Sequence, residues 1–364
     1  MKYDYLIVGS GLTGGVIARL LHDAGEKVLV LDRRSHLGGN VHDHAHESGI
    51  RIHTYGPHYF RTSDEGIWSF VNRFTEFEEY VACLKSEVDN NYENWPVAGS
   101  YVRNKLGNNW KPSFNGPIRN FEDAALSLMP QLVYEKFVRG YNIKQWGVDP
   151  KLLTSDLVRR FDLREDDDPR LMPKHKYQGI PKNGYALFME NLFKGIPVIL
   201  NVDYLKQKEE FKVQKKVVFT GPIDEYFGFK FGRLKYRGQI RNHEYIPNVD
   251  YVLPTGQVNN PDTSKGAHIR TLEWKHMMPK HFASQIMGTV LTTETTVTPI
   301  NAEDFEYPFP DEQNKTLYKQ YRELANLDTN LLICGRLGEY KYYDMDQAIG
   351  RAFYLVNKFL LTNE

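Results

Sequence analysis

The chain contains 364 residues, of which 41% are hydrophobic, 13% aromatic and 25% charged. Because a single hydrophobic core stops growing at about 250–300 residues, this length predicts two or three lobes. The 46 Lys and Arg residues balance the 46 Asp and Glu residues. The net charge therefore gives no reason to expect a nucleic acid or an anionic membrane as a partner.

Membrane and metal patterns are also missing from the sequence. No apolar run reaches the ~18–20 residues that span a bilayer, and the N-terminus lacks a secretory signal pattern, so we expect no membrane insertion and a cytoplasmic location. Cys83 and Cys334 are too few for a disulfide framework or a thiolate metal site. His42, His44 and His46 alternate on a possible strand, but no other ligands follow at a recognisable spacing, and we predict no metal site.

The first residues of the chain follow the order strand, glycine turn, helix, strand, acid. An apolar run at 3–8 is followed by G-S-G-L-T-G at 9–14, which opens a segment with helical spacing. A second apolar run at 27–31 then leads to Asp32. This order of elements predicts a Rossmann-like dinucleotide-binding domain.

Each glycine of the turn has a separate expected role. Gly9 permits the tight turn, Gly11 lets backbone N–H groups approach a pyrophosphate at the helix N-terminus, and Gly14 allows the helix to pack closely on the strand. Asp32 is expected to accept hydrogen bonds from a ribose diol.

The fingerprint alone fits either NAD or FAD. After Asp32 the chain continues with two arginines and then Gly38-Gly39-Asn40. An acid, basic residues and a paired glycine after the second strand are typical of many FAD-binding chains. We therefore predict FAD, with Gly39 and Asn40 at the cofactor.

The remaining elements are predicted from periodicity and turn residues. Apolar residues at helical spacing over 121–146 predict two helices broken at Pro130, whereas the segment 86–120 is dense in Asn, Gly and Pro and is interpreted as loop or short helices. Short β-type runs between 213 and 300, one of them at 251–253, predict a mixed or antiparallel sheet. At the end of the chain we predict a strand at 330–334 and a helix from about 344 to 361, which repeat the strand–glycine–helix order of the first residues.

These elements predict an α/β fold made of a discontinuous Rossmann-like FAD-binding domain, a small helical lobe and a β-sheet substrate lobe. The predicted boundaries are 1–80, 185–225 and 328–364 for the FAD-binding domain, 81–150 for the helical lobe, and 151–184 and 226–327 for the substrate lobe, with a mobile lid near 160–175.

Five longer motifs are distributed over nearly the whole chain. They are Y-G-P-H-Y-F-R-T at 55–62, G-Y-N-I-K-Q-W-G at 140–147, Y-Q-G-I-P at 177–181, T-G-P-I-D-E-Y-F at 220–227 and G-R-L-G-E-Y-K-Y-Y-D-M at 335–345. In content and order they resemble the UDP-galactopyranose mutase family, whose members are FAD enzymes that interconvert the pyranose and furanose forms of a nucleotide sugar. K-Q-W-G together with E-Y-K-Y-Y-D-M is the most specific part of the resemblance.

The resemblance implies a role for each matching residue. On the cofactor side it implies contacts with the flavin, from His58, Arg336, Tyr343, Asp344 and Met345. On the substrate side it places Phe137 and Tyr141 around the nucleobase, and Trp146 in the wall of the substrate cleft. It implies diphosphate contacts from Arg164 in the lid, Arg270, Tyr307 and Tyr342. Catalysis would rest on His58, Arg164 and Arg270.

The resemblance also implies a mechanism that is covalent and formally non-redox. In the family, N5 of the reduced flavin attacks the anomeric carbon, the nucleotide diphosphate leaves, and the flavin–sugar adduct opens and recloses through a different hydroxyl before the nucleotide returns. The implied substrate is a UDP- or TDP-hexose, and the implied role is polysaccharide biosynthesis.

Three departures from the family pattern limit this transfer. The segment before residue 121 is shorter than expected for the helical lobe, which leaves a homodimer open. The lid reads E-D-D-D-P-R-L-M after Arg164, without the tyrosine that contacts the diphosphate in the family. Arg61 replaces a histidine near the expected sugar pocket.

Arg61 is expected either to read a sugar substituent or to pair with an acid of the chain itself. Two rival functions also remain at this point. One is an FAD oxidoreductase of the amine-oxidase-like type, and the other is a flavoprotein that has lost catalysis.

Overall fold

The structure is a computed structural model that describes residues 2–161 and 163–361. Two large sheets form its frame. The strands, in chain order, are β1 (Tyr3–Val8), β2 (Val28–Leu31), β3 (Asp43–Ala45), β4 (Arg51–His53), β5 (Phe60–Thr62), β6 (Phe77–Glu79), β7 (Leu84–Val88), β8 (Asn91–Trp95), β9 (Tyr177–Pro181), β10 (Val198–Ile199), β11 (Val213–Phe219), β12 (Tyr236–Pro247), β13 (Gln257–Asn259), β14 (Arg270–Glu273), β15 (Gly288–Val297), β16 (Tyr307–Pro308) and β17 (Leu331–Ile333).

The helices lie between and around these strands. In chain order they are α1 (Leu12–Asp23), α2 (Glu65–Val71), α3 (Gly99–Leu106), α4 (Phe121–Leu126), α5 (Gln131–Val133), α6 (Gly140–Trp146), α7 (Tyr185–Leu192), α8 (Ile223–Tyr226), α9 (Lys280–Ala283), α10 (Glu312–Ala325), α11 (Gly335–Gly338) and α12 (Met345–Leu355), with π-helical turns at Tyr134–Arg139 and Val356–Leu360. Among the described residues, none of these helices has both the length and the apolar character that crossing a bilayer requires.

The first sheet is parallel and has the order β10-β2-β1-β11-β17. Apart from the polar first half of β11, its strands are nearly continuous apolar runs because both faces of the sheet are covered. Ile7 points into the core beneath α1, whereas the neighbouring Leu6 belongs to the core on the opposite face. This arrangement confirms the predicted α/β fold with a Rossmann-like domain, and it brings together strands from the beginning, middle and end of the chain.

The second sheet is mixed and has the order β16-β12-β15-β14-β13-β7-β8. Its longest pairing is antiparallel and joins β12 to β15 over ten residue pairs. The predicted mixed sheet between 213 and 300 is therefore present, although β11 belongs to the parallel sheet. The run at 251–253 was wrongly predicted as a strand, because the backbone N–H groups of Val252 and Leu253 donate to the Glu273 carboxylate instead of a neighbouring strand.

The interpretation of 86–120 as loop or short helices is wrong for its first residues, 86–95. They belong to the hairpin β7–β8, which extends the second sheet through the parallel pairing of β7 with β13. Asp89 and Asn90 have φ of 52° and 62°, a left-handed pair typical of a two-residue hairpin turn. The Asn content that favours a loop in the sequence thus serves one tight turn.

The helices α3 to α6 pack around a separate apolar core that contains Phe121, Val138 and Trp146. Pro130 is the N-cap of the second helical run, which begins at Gln131 after α4 has ended at Leu126. The predicted break at Pro130 is therefore confirmed. The run ends at Gly147, whose φ of 70° suits a glycine C-cap.

The predicted lid contains Asp162, which lies outside the described residues. The acidic run that follows it contacts the first turn of α3. The backbone carbonyl of Asp166 accepts from Gly99 N at 2.8 Å, and the Asp167 carboxylate accepts from Ser100 N at 2.8 Å. These contacts satisfy backbone donors at a helix N-terminus.

The mobility of the lid and the division into three units stay predictions. Met1 and residues 362–364 of the predicted FAD-binding domain also lie outside the described residues.

Candidate active site

A cavity of about 1060 Å³ lies at the carboxyl ends of the parallel strands and extends to the second sheet. This edge of a parallel sheet is where open α/β folds bind their ligands. The volume is at the upper end of the range for small-molecule sites, so it has room for a dinucleotide together with a substrate. All the predicted cofactor residues line it, namely Gly9, Gly11, Gly14, Asp32, Gly39, Asn40, His58, Arg336, Tyr343, Asp344 and Met345.

The glycine turn fits a dinucleotide for steric reasons. A Cβ on Gly14 would lie 2.0 Å from the carbonyl oxygen of Gly9, and Gly9 itself has a φ of 109°. Gly11 differs, because its φ is −66° and a Cβ there would meet only the Cα of Gly39, at 3.9 Å. Gly9 and Gly14 are thus needed by the fold, whereas the space beside Gly11 is open to a ligand.

Asp32 follows β2 and is held in place by donors of the chain itself. Its carboxylate accepts from Ser10 N at 2.6 Å, from Ser10 Oγ at 2.7 Å and from Arg34 N at 2.9 Å. An ionised carboxylate can accept about four hydrogen bonds, so acceptor capacity remains for a ribose hydroxyl. The structure therefore leaves the predicted ribose contact possible and shows what orients the side chain.

His58 is held as a neutral imidazole. Its Nδ1 is 2.7 Å from the carbonyl oxygen of Gly56, so Nδ1 carries the proton and donates. Its backbone N–H donates to His53 Nδ1 at 3.0 Å. Burial, together with the neighbouring His53 and Arg336, lowers the pKa of His58 to about 3. His58 can therefore accept a hydrogen bond at Nε2 but does not supply a positive charge at neutral pH.

A second cavity of about 140 Å³ adjoins the first and shares Trp146, Arg270 and Tyr307 with it. Phe137 and Tyr141 line this smaller space, as the resemblance implies for a nucleobase site. The two cavities therefore lie side by side, with Arg270 and Tyr307 between them.

Two tyrosines and an arginine form the wall at that junction. The rings of Tyr307 and Tyr342 stack at 5.8 Å, and Trp146 meets Tyr307 edge-on at 6.5 Å. Burial raises the pKa of Tyr307 to about 12 although the Arg270 charge opposes it, so its hydroxyl is protonated at neutral pH. A phenol and a guanidinium are suitable donors for diphosphate oxygens.

Arg270 is oriented by a buried carboxylate. Its Nε donates to Glu294, which is fully buried, and no hydrogen bond of Nη1 or Nη2 is present within the described part of the chain. Although burial alone would lower it, the pKa of Arg270 is raised well above the usual value by Glu294 and nearby tyrosines. The guanidinium is therefore charged, and its terminal nitrogens are available on the cavity wall.

Arg164 is absent from the described residues that line the two cavities, and its contact with the diphosphate stays a prediction. Its Nη1 and Nη2 donate to the backbone carbonyls of Asp168 and Leu171, at 2.9 and 3.1 Å. The guanidinium thus binds the lid's own backbone. Arg159, which the sequence reasoning missed, lines the larger cavity instead; its place just before the lid was the available signal.

Arg61 lines the larger cavity and donates from Nη2 to the Asp344 carboxylate at 2.9 Å. An acid of the chain therefore answers this cation, as one of the two expectations held. Asp344 also caps the N-terminus of α12 together with Gln347. The ion pair therefore joins Arg61, which replaces a histidine of the family motif, to Asp344, a predicted cofactor residue.

The predicted absence of a metal site concerns His42, His44 and His46. His42 and His44 both contact Thr54 Oγ1, at 2.8 and 3.0 Å, and burial lowers the pKa of His42 to about 4. Within residues 2–161 and 163–361, no cluster of three or more His, Cys, Asp or Glu side chains is arranged to hold a metal ion.

Comparisons with known proteins agree with these features. Residues 136–342 match the family profile described as UDP-galactopyranose mutase, and residues 7–74 match that of an NAD(P)-binding Rossmann-like domain. Over 384 aligned residues the chain is 30% identical to dTDP-fucopyranose mutase of Escherichia coli, and 99% of each chain is covered. It is also 30% identical over 376 residues to the probable UDP-galactopyranose mutase of Klebsiella pneumoniae, with 98% of this chain and 94% of that protein covered.

Solved structures show the same likeness at the level of the fold. A crystal structure of reduced UDP-galactopyranose mutase aligns with a TM-score of 0.77 at 15% identity, covering 100% of this chain and 96% of that one.

Proposed function

The chain belongs to the UDP-galactopyranose mutase family and is an isomerase that acts on a nucleotide sugar, and we propose that it interconverts the pyranose and furanose forms of a UDP- or dTDP-hexose with reduced FAD as cofactor. One observation carries the proposal. The dinucleotide-type wall and the Arg270–Tyr307 wall line a single cavity, which shares residues with a smaller cavity that has aromatic side chains in its wall.

The residues on the first wall fit a flavin dinucleotide. The open space beside Gly11, at the N-terminus of α1, suits the pyrophosphate, and Asp32 retains acceptor capacity for the ribose. Arg336 and the segment 343–345 would lie at the flavin ring. When bound and reduced, the flavin would supply the nucleophile for the anomeric carbon.

The chain's own part of the reaction is to bind and orient the nucleotide sugar. The terminal nitrogens of Arg270 and the hydroxyls of Tyr307 and Tyr342 would bind the diphosphate, whose negative charge rises when its bond to the sugar breaks. Phe137 and Tyr141 would hold the nucleobase in the smaller cavity. Holding both ends of the nucleotide keeps the leaving group close enough to return to the sugar.

The proposal is tested with protein reconstituted with FAD under anaerobic conditions. UDP-galactopyranose and dTDP-fucopyranose are each incubated with chemically reduced protein, and ring forms are determined by NMR. We expect exchange only after reduction, and we expect an Arg270→Met variant that retains FAD to lose most of it. Full turnover with oxidised flavin, or none with reduced flavin on a panel of UDP- and dTDP-hexoses, contradicts the proposal.

A further inference from the structure

A row of charged side chains crosses three neighbouring strands of the second sheet directly behind the Arg270 wall. Glu294 on β15 is paired in register with Arg241 on β12 and with Arg270 on β14. Residues directly opposite on adjacent strands have neighbouring side chains, so the register alone places the carboxylate between the two guanidinium groups. Glu294 is completely buried, and Arg241 is nearly so.

Arg241 joins this row to a second buried acid. Its Nε donates to one oxygen of Glu294 at 2.7 Å, and its Nη1 and Nη2 donate to the two oxygens of Glu306, both at 2.9 Å. The guanidinium spreads its donors over three nitrogens in one plane, which suits a bidentate contact and a third bond, whereas a lysine ammonium offers its donors from a single nitrogen. Glu306 lies next to Tyr307 on the cavity wall, and Arg241 lies behind it.

The loop that carries His58 packs on the same row. Gly56 has a φ of 90°, and a Cβ at this position would lie 2.9 Å from a Glu294 oxygen and 3.1 Å from Arg241 Nη2. The carbonyl oxygen of Gly56 accepts from His58 Nδ1. The row therefore supports two groups at the cavity, Arg270 directly and His58 through Gly56.

We propose that Arg241 is a positioning residue for diphosphate binding. By donating hydrogen bonds to Glu294 and Glu306 on the side away from the cavity, it keeps the Arg270 guanidinium directed into the cavity. The proposal rests on the proposed role of Arg270 toward the nucleotide diphosphate. Arg241 itself touches neither cavity among the described lining residues.

The charge balance of the row explains why Arg241 matters. Two arginines and two glutamates sum to zero, and a buried carboxylate without a partner is strongly unfavourable. Without Arg241, Glu306 loses the bidentate hydrogen bonds that its two oxygens accept, and Glu294 keeps only Arg270 as its partner in the row. Arg270 is then drawn toward the acids behind the wall, and its terminal nitrogens are no longer held toward the diphosphate.

The experiment is a double-mutant cycle on protein reconstituted with FAD, with UDP and dTDP as probes and the dissociation constant measured by calorimetry. We expect Arg241→Met and Arg270→Met each to weaken nucleotide binding by about tenfold or more. Because Arg241 acts through Arg270, the double variant should bind within about twofold of Arg270→Met. Losses that multiply in the double variant indicate independent or general damage and overturn the proposal, as does unchanged binding by Arg241→Met.

Two further variants separate positioning from loss of stability. Arg241→Lys retains a charge without the fork and should bind with intermediate affinity, and it decides the question if Arg241→Met does not fold. Arg237→Met removes another buried arginine of β12, which donates to the Gln145 carbonyl and Thr298 Oγ1, and should bind within about twofold of wild type. An equal loss in Arg237→Met overturns the proposal.

The wild-type protein provides the remaining distinction. If it binds neither UDP nor dTDP, the proposed function is wrong and the role of Arg241 falls with it. If the wild-type protein binds them, and Arg241→Lys and Arg241→Met bind them as tightly as wild type does, only the role of Arg241 is wrong.

Discussion

Gly14→Ala is expected to lower the stability of the fold, whereas Gly11→Ala is expected to leave stability unchanged and to weaken cofactor binding. A methyl group at Gly14 would lie 2.0 Å from the Gly9 carbonyl oxygen, whereas such contacts essentially never fall below 3.0 Å. Helix α1 must therefore move by about 1 Å away from β1, against a packed core. At Gly11 the same methyl group meets only Gly39 Cα at 3.9 Å, and the φ of −66° suits alanine.

The magnitudes follow from these contacts. Overpacking costs about 1–3 kcal/mol, and the upper end applies to Gly14→Ala because the obstacle is backbone. With an unfolding entropy of about 2.1 cal/mol/K per residue, a loss of ~3 kcal/mol lowers the Tm of a chain of this length by about 4 °C. Gly11→Ala should leave the Tm of the apoprotein within about 1 °C. If its methyl group displaces one charge-assisted contact of the pyrophosphate, FAD affinity falls by about 10–150-fold.

The assay compares thermal melting of the two apoproteins with FAD titrations followed by flavin fluorescence. Each variant serves as the control for the other, because both add the same methyl group to the same turn. The reasoning is refuted if Gly14→Ala melts with wild type, if Gly11→Ala binds FAD as tightly as wild type, or if Gly11→Ala destabilises the apoprotein as much as Gly14→Ala does.

Two further predictions concern the lid and the buried histidines. Arg164→Ala should make the lid more sensitive to limited proteolysis, because the carbonyls of residues 168 and 171 lose their donor. Arg159→Ala should leave the lid protected and raise KM by about tenfold. An unchanged KM in Arg159→Ala excludes a substrate contact at Arg159. Burial lowers the pKa of His53 and of His58 to about 3. Because these folded values lie below the unfolded value, their contribution to stability is present above about pH 6.5 and is lost as pH falls toward 3. Imidazole NMR signals of both residues should not titrate between pH 5 and 8, and a midpoint in that range contradicts the assigned neutral state.

Contiguous patterns explain what could be predicted from the sequence. The unit β1–α1–β2 is specified by neighbouring residues, so its elements, its glycine turn and the acid after β2 could all be placed before the structure. The break at Pro130 is equally local, because proline cannot continue the preceding helix. The hairpin β7–β8 was missed because Asp89 and Asn90 favour turns in general, and only pairing with β13 makes the flanking residues strands.

Side-chain direction could not be predicted in the same way. Motif position placed Arg164 at the diphosphate, but its direction depends on carbonyls that the folded lid presents four and seven residues later. The row behind Arg270 joins positions 24 and 53 residues apart in sequence. No period in the sequence marks such a row, because it exists only once the strand register is set.

Arg61 and Asp344 allow a last prediction, about sugar specificity. Their ion pair uses Nη2 of Arg61, while no hydrogen bond of Nη1 occurs among the described residues, and the guanidinium lines the cavity. A permanent cation therefore remains at the wall of the larger cavity, beside the proposed sugar site, even after it is paired. We expect this cation to favour a hexose whose substituents differ from those of galactose.

The test compares catalytic efficiencies on UDP-galactose and on a panel of UDP- and dTDP-hexoses. Arg61→His should shift the efficiency ratio toward galactose by more than about tenfold, some ~1.4 kcal/mol of discrimination. Asp344→Asn is the control, because it removes the acid of the pair and leaves the cation, so it should change the ratio by less. If Arg61→His leaves the relative efficiencies unchanged, or if both variants change them equally, Arg61 serves the pair with Asp344 and does not read the sugar.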